Sequence, residues 1–347
     1  MKKIFLVIFT LLFLNLASGL AQDKTASYDD FKAKVNKLEK MKKYDEAIKF
    51  TQKAWEQFPD RMFELIKELE YLYNKTGQYE KNLNLWRNGH EQGFFFLLNK
   101  RMKKFAPYLQ FFQFDSLVLK DTALREAAIA KAKTIYRIVK PVNFDPDRKY
   151  PLALIFHGGG SNLERVQKHW HSTQLDSFFI KVYLQSYRYY DSRTYGWRSG
   201  DKRAYSEIKT IYNRIRKQVE IDTMNILLAG ISAGGTFALD LISHKIIPAT
   251  LFIGFCSGMP QYFNESVAQK LKLNNTKIFI VGGEKDYYLP KQKQLMEIFN
   301  KIQMDAKHII VEKMGHQYPV NEGYYINQAI KYFQVNKKTE KNGSVKS

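Results

Sequence analysis

The chain has 347 residues, 45% hydrophobic and 15% aromatic, enough for one large core or two medium ones at roughly 100 to 200 residues per domain. That composition excludes disorder as the main state. Its formal net charge of +21 bears on solubility and anionic partners, not on fold.

The only long apolar run, Ile4–Leu16, is shorter than the roughly 18 to 20 residues that a spanning helix needs, so no transmembrane segment is expected. It follows Lys2 and Lys3 and precedes Gly19 and Ala21, the basic, apolar and small-residue parts of a secretory signal. Residues 1–21 are therefore expected to be removed, leaving an exported, periplasmic or extracellular chain beginning at Gln22. The one cysteine, Cys256, has no intramolecular partner, so packing must hold the fold together. Export also sets aside nucleic acid as the partner of the positive charge.

Residues 28–105 contain almost no glycine or proline, and their apolar residues recur at helical spacing, as in Tyr44, Ala47, Ile48 and Ala54, Trp55, Phe58. The stretch around Tyr44 matches the stretch around Tyr79 at an offset of 35, with Ala54 onto Gly89. Ala47, Ala54 and Pro59, followed by Leu69, Tyr73, Gly77 and Tyr79, resemble tetratricopeptide repeats, whose small residues let paired helices approach. Lys34, Asn82 and Phe94 depart from that pattern. An all-α helical-repeat domain is expected over residues 22–123, with a protein partner as its use.

From residue 134 the period changes. Short β-branched and aromatic runs (135–139, 152–156, 182–185, 226–229, 251–255, 278–281, 308–311) alternate with helical stretches at 204–219, 234–245, 290–303 and 323–335. Near-continuous apolar strands alternating with helices predict an α/β class with a doubly wound, mostly parallel sheet over residues 124–336. Residues 337–347 read as a basic C-terminal tail.

Three strand ends carry chemistry. After the strand near Ala229, Gly230-Ile231-Ser232-Ala233-Gly234 opens directly into a helix, the strand–turn–helix context that exposes a nucleophilic serine. The strand ending at Phe156 runs into His157-Gly158-Gly159-Gly160, where backbone N–H groups of Gly158 and Gly159, with that of Ala233, can face a developing oxyanion. Downstream, Asp286 follows one strand and His316 the last, giving the chain order serine, acid, histidine. Glu284 competes as the acid but lies closer to its strand. Of the seven histidines, only His316 combines that order with a glycine-preceded loop.

The segments YRIVKPVNFDPDRKYPLALIFHGGG, DTMNILLAGISAGG, VGGEKDYYLP and MGHQYP are similar to those of α/β-hydrolase esterases, near the dienelactone hydrolase, polyhydroxybutyrate depolymerase and feruloyl esterase groups. The resemblance implies Ser232 as nucleophile, His316 as general base and acid, and Asp286 as the orienting acid. It implies an oxyanion hole at Gly158, Gly159 and Ala233, with His157 a structural side chain beneath it. It implies a small-molecule or polymer ester as substrate, with no metal or organic cofactor. The basic, aromatic loop 185–203 suggests Arg193, Trp197 and Arg198 as contacts to an anionic or aromatic substrate. Two other readings stay open: a serine peptidase of the prolyl-oligopeptidase type, and a non-catalytic repeat-bearing adaptor.

Overall fold

The computed structural model describes residues 27–343, with side chains up to residue 333. The expected signal (residues 1–21) and residues 344–347 of the expected tail lie outside them. The chain divides into two compact units at Gln78/Tyr79.

The first unit holds helices α1 (Tyr28–Lys40), α2 (Tyr44–Gln57) and α3 (Met62–Lys75). Ser27 caps α1 by accepting the N–H of Asp30 at 3.1 Å, satisfying a donor that the first turn leaves free. Pro59 starts a 3-10 turn that separates α2 from α3. Apolar residues on one side of each helix meet in the interior: Phe31, Val35, Ala54 and Leu65 are all buried. Whether this packing repeats with a tetratricopeptide period stays a proposal.

The second unit begins with α4 (Tyr79–Glu91) and α5 (Gln113–Lys131). Trp86 of α4 packs against Phe105, Tyr108 and Phe114. α4 precedes the expected boundary at residue 123/124 and α5 runs across it, yet both belong to the compact unit that carries the sheet. Arg203 shows one reason, since its guanidinium donates to the carbonyls of Ile129 and Ala132 at the end of α5.

In chain order the sheet unit continues with β1 (Ile135–Val139), β2 (Tyr150–Phe156), α6 (Leu163–Gln167), α7 (Thr173–Phe178), β3 (Ile180–Gln185), β4 (Tyr189–Asp191), β5 (Thr194–Tyr195) and α8 (Lys202–Ile215). There follow β6 (Ile221–Ile231), α9 (Ala233–Ser243), β7 (Leu251–Phe255), α10 (Glu265–Leu273), β8 (Lys277–Gly283), α11 (Leu289–Lys301), β9 (Ala306–Val311) and α12 (Glu322–Gly343). Among the described residues the main sheet has seven strands in the order β1-β3-β2-β6-β7-β8-β9. Only β1 is antiparallel to its neighbour. The expected doubly wound, mostly parallel sheet is therefore present.

Alternation along the strands explains the layers. Leu152, Leu154 and Phe156 of β2 enter one apolar cluster with α8, α9, α10 and α11, whereas Ala153 and Ile155 enter another with α6, α7 and α12. A parallel sheet covered on both faces buries its strands almost along their whole length, as in β3 and β8.

Beyond the short elements α6, α7, β4 and β5, two departures from the sequence expectation stand out. Between β7 and β8, outside the helical stretches expected, lies α10, capped by Asn264, which accepts the N–H of Val267 at 3.0 Å, and fastened by buried Ala268 and Leu271. The last helix continues to Gly343, past the expected helix end at residue 335 and into the expected tail. Among the described residues no helix is long and apolar enough to cross a membrane.

Candidate active site

Ser232 sits between β6 and α9 with φ 54° and ψ −126°, a conformation few non-glycine residues adopt. The turn closes because its neighbours lack side chains. A Cβ on Gly234 would lie 2.2 Å from the carbonyl oxygen of His157, and one on Gly230 would lie 2.7 Å from the backbone of Gly234 and Gly235. The serine N–H donates to the carbonyl of Phe255 at 2.9 Å, which pins the turn to β7.

The acid and the histidine arrive on the loops after β8 and β9. His316 Nε2 is 2.7 Å from Ser232 Oγ, and His316 Nδ1 is 2.7 Å from Asp286 Oδ1. The Asp286 side chain is fully buried, which makes its partners decisive. It accepts the N–H of Tyr288 at 2.9 Å and the Gln292 side-chain amide at 3.0 Å. Glu284, the competing acid, is exposed and instead accepts the N–H of Lys313 at 2.8 Å. The Tyr287 ring stacks on the His316 imidazole at a centroid distance of 4.1 Å and 27°.

The glycine loop after β2 faces the same serine. An ideal Cβ on Gly158 would be 3.8 Å from Ser232 Cβ, and one on Gly159 would be 3.7 Å from Ala233 Cβ. His157 lies beneath the loop, fully buried. Its Nε2 accepts the N–H of Ser186 at 3.2 Å, so its Nδ1–H donates to the carbonyl of Gly158 at 2.7 Å. Burial lowers its pKa to about 4 and keeps the ring neutral. In a trans peptide the C=O and the following N–H point in opposite directions, so holding the Gly158 carbonyl sets where the Gly159 N–H points.

Ser232, Asp286, His316, Gly158, Gly159 and Ala233 are thus brought together, and of the three suggested substrate contacts Trp197 is turned away from them. Trp197 is 4% exposed and stacks on Phe237 of α9 at 4.9 Å and 14°, so it is part of the core rather than a substrate surface. Its indole is apolar enough to fill the space beside Phe156 and His157. Arg193 and Arg198 are exposed.

Other neighbours of the site carried no sequence signal of their own. Tyr190 lies over Gly159, Tyr287 immediately follows the acid, and Gln292 is one helical turn and a loop beyond it. Cys256, at φ 46°, is fully buried, and its Sγ lies 3.4 Å from the carbonyl oxygen of Gln317, beside His316. Burial, and then the charge of Asp286, push its thiol up to about 12, so it stays protonated. Its Sγ and the ligand atoms of Asp286 and His316 lie within 4.8 Å of one another. A protonated thiol beside an already bonded His–Asp pair is a poor fit to a metal, which needs the thiolate.

No family model matches the chain. Over 176 residues it is 28% identical to a bifunctional acetylxylan esterase/xylanase of Neocallimastix patriciarum, an alignment covering 49% of this chain and 24% of that relative. The aligned region thus spans about a quarter of that protein's length. Among solved structures, an uncharacterized protein from Bacillus cereus is 20% identical with a TM-score of 0.49, covering 88% of this chain and 98% of the other. A thermostable esterase is 19% identical with a TM-score of 0.45, covering 58% and 59%. A ferulic acid esterase from Anaeromyces mucronatus, solved with ferulic acid, is 16% identical with a TM-score of 0.44, covering 56% and 88%. At these TM-scores the structural likenesses carry no argument about chemistry. The chain is similar to esterases, and its α/β-hydrolase arrangement rests on its own strand order and on the loops that meet at Ser232.

Proposed function

We propose that the second unit hydrolyses carboxylic esters, with Ser232 as nucleophile, His316 as base and then acid, and Asp286 as the group that orients the imidazole. The observation that carries this reading is the unbroken line Asp286–His316–Ser232, 2.7 Å at each step, ending on a serine held in a strained strand-end turn. His316 Nδ1–H donates to Asp286, which leaves Nε2 to accept from the serine hydroxyl.

In the first half-reaction Ser232 Oγ bonds to the ester carbonyl carbon while its proton passes to His316 Nε2. The carbonyl oxygen becomes an oxyanion, met by the N–H groups of Gly158, Gly159 and Ala233. The bond to the alcohol then breaks, and the imidazolium returns the proton to the leaving oxygen. Water repeats the sequence on the acyl-enzyme: His316 takes its proton, the hydroxide oxygen joins the acyl carbon, and Ser232 leaves with the proton. Asp286 keeps accepting from His316 Nδ1–H and stabilises the imidazolium.

The similarity to an acetylxylan esterase favours a small acyl group on a carbohydrate over a peptide amide. Exposed Arg193 and Arg198 suit an anionic substrate, and residues 1–21 suit export. The helices of the first unit are proposed as a partner-binding module. Turnover of p-nitrophenyl esters of graded acyl length, acetylated xylan, feruloyl esters and a prolyl peptide amide tests the reading. Ester cleavage with no amide cleavage is the expected result, and the reverse would replace it with a peptidase.

A further inference from the structure

The glycine loop is tied to more than the sheet. Gly160 N–H donates to the carbonyl of Tyr195 at 2.9 Å, and Tyr195 N–H donates to the carbonyl of Ser161 at 2.8 Å, so β5 runs alongside the loop. The hairpin partner β4 carries Tyr190 at its centre, and the Tyr190 ring lies against Gly159: a Cβ there would be 3.3 Å from both Tyr190 Cε2 and its hydroxyl. Another part of the same ring lies on Gly196, where a Cβ would come within 2.2 Å of Cε1. The ring is clamped between a glycine of the loop and a glycine at the end of β5.

The hairpin is in turn anchored to the segment between α4 and α5. Phe95 N–H donates to Ser192 Oγ at 2.8 Å, Ser192 N–H donates to the Phe95 carbonyl at 3.0 Å, and the Phe95 ring meets Tyr189 edge-on at 5.4 Å. That segment is held by Asp121 of α5, which is fully buried. Its carboxylate accepts the N–H groups of Phe96 and Leu98 at 2.5 and 3.0 Å and lies 3.2 Å from His90 Nε2. Buried carboxylates cost several kcal/mol unless bonded in this way, so the segment has little freedom to drift.

We propose that the β4–β5 hairpin is a brace for the oxyanion loop, with Tyr190 as the positioning residue and the Phe95–Ser192 pair as the anchor. The proposal rests on the ester-hydrolase reading above. His157 holds the Gly158 carbonyl from below and Tyr190 covers Gly159 from the side, so a displaced ring tilts the Gly159 N–H away from the reacting oxygen. Oxyanion donors act mainly in the transition state, so the brace governs kcat far more than KM.

The test is a cycle of Gly196→Ala and Tyr190→Ala, with Tyr190→Phe as the conservative variant, read with p-nitrophenyl acetate. Gly196→Ala and Tyr190→Ala should each lower kcat by roughly tenfold or more with KM within about threefold, because even a 1 Å misplacement can cost about 10²-fold. Tyr190→Phe keeps the packed ring and should recover most of the loss. Adding Gly196→Ala to Tyr190→Ala should cost little further, since the three atoms nearest the new methyl all belong to the removed ring; that non-additivity is the signature of contact. Full kcat in Tyr190→Ala, additive losses in the double variant, or Tyr190→Phe as poor as Tyr190→Ala would each overturn the brace. If Gly196→Ala does not fold, Tyr190→Ala against Tyr190→Phe carries the test alone. Fluorophosphonate labelling of the unsubstituted protein separates the two levels. Labelling at Ser232 with indifferent variants removes the brace only, and no labelling removes the ester-hydrolase reading and the brace together.

Discussion

Two walls meet at Ser232, and they are built differently. On one side Asp286 and His316 are joined by side-chain hydrogen bonds, with Gln292 and the Tyr288 N–H completing the carboxylate's shell. On the other side the loop of Gly158 and Gly159 is held by backbone bonds, a neutral histidine and a packed tyrosine ring. In the proposed reaction the polar wall handles protons, so losing one member should break a unit. In the same reaction the apolar wall would only fix the direction of N–H groups, so its substitutions should act in degrees and from a distance.

The largest effects are expected on the polar wall. Ser232→Ala and His316→Ala should each lower kcat by at least ~10³-fold while leaving Tm nearly unchanged, because neither supports the core. Wild-type turnover in Ser232→Ala would break the comparison at once. Asp286→Asn should cost roughly 10²-fold or more through the wrong imidazole tautomer, whereas Glu284→Gln should be nearly silent in the same assay. A crippled Glu284→Gln would move the acid to the neighbouring residue.

The apolar wall has its own signature in acid. His157 has a pKa of about 4 in the folded chain against 6.5 for the free group, so between those values the unfolded chain binds the proton and the folded chain does not. Stability from this group is therefore complete above pH 6.5 and is lost as pH falls toward 4. Tm measured across that window should fall on acidification, and the fall should be smaller in His157→Gln. An identical slope in the two proteins would mean that His157 is not the neutral support of the loop. The smallest effect concerns Arg193 and Arg198. Their joint replacement by Gln should remove a low-salt preference for anionic esters, screened over roughly 8 Å at physiological ionic strength, without changing a neutral ester. An unchanged preference would free these residues of any part in binding.

Much of the polar wall was legible in the sequence because it obeys local rules. A serine flanked by Gly230 and Gly234 between strand and helix has few other uses, and chain order together with a glycine-preceded loop selects His316 from seven histidines. Apolar strands likewise marked the sheet. The apolar wall was less legible because its parts are distant in sequence and use ordinary residues. Nothing near Phe95 indicates that it bonds Ser192, 97 residues away. Trp197 stands among Arg and Tyr residues as a surface aromatic would, yet it turns inward onto Phe237. Composition says that a loop is aromatic, but only packing decides which rings face the core. The stretch that forms α10 was missed because its cap, Asn264, follows Pro260 in what reads as a turn.

The central claim is that Ser232 is a nucleophile activated by His316. Fluorophosphonate treatment of the full chain, followed by peptide mapping by mass spectrometry, tests it most directly. The expected result is one covalent adduct, on Ser232, formed at a rate that collapses in His316→Ala. An adduct on another residue, or equal labelling of Ser232 with and without His316, would contradict it.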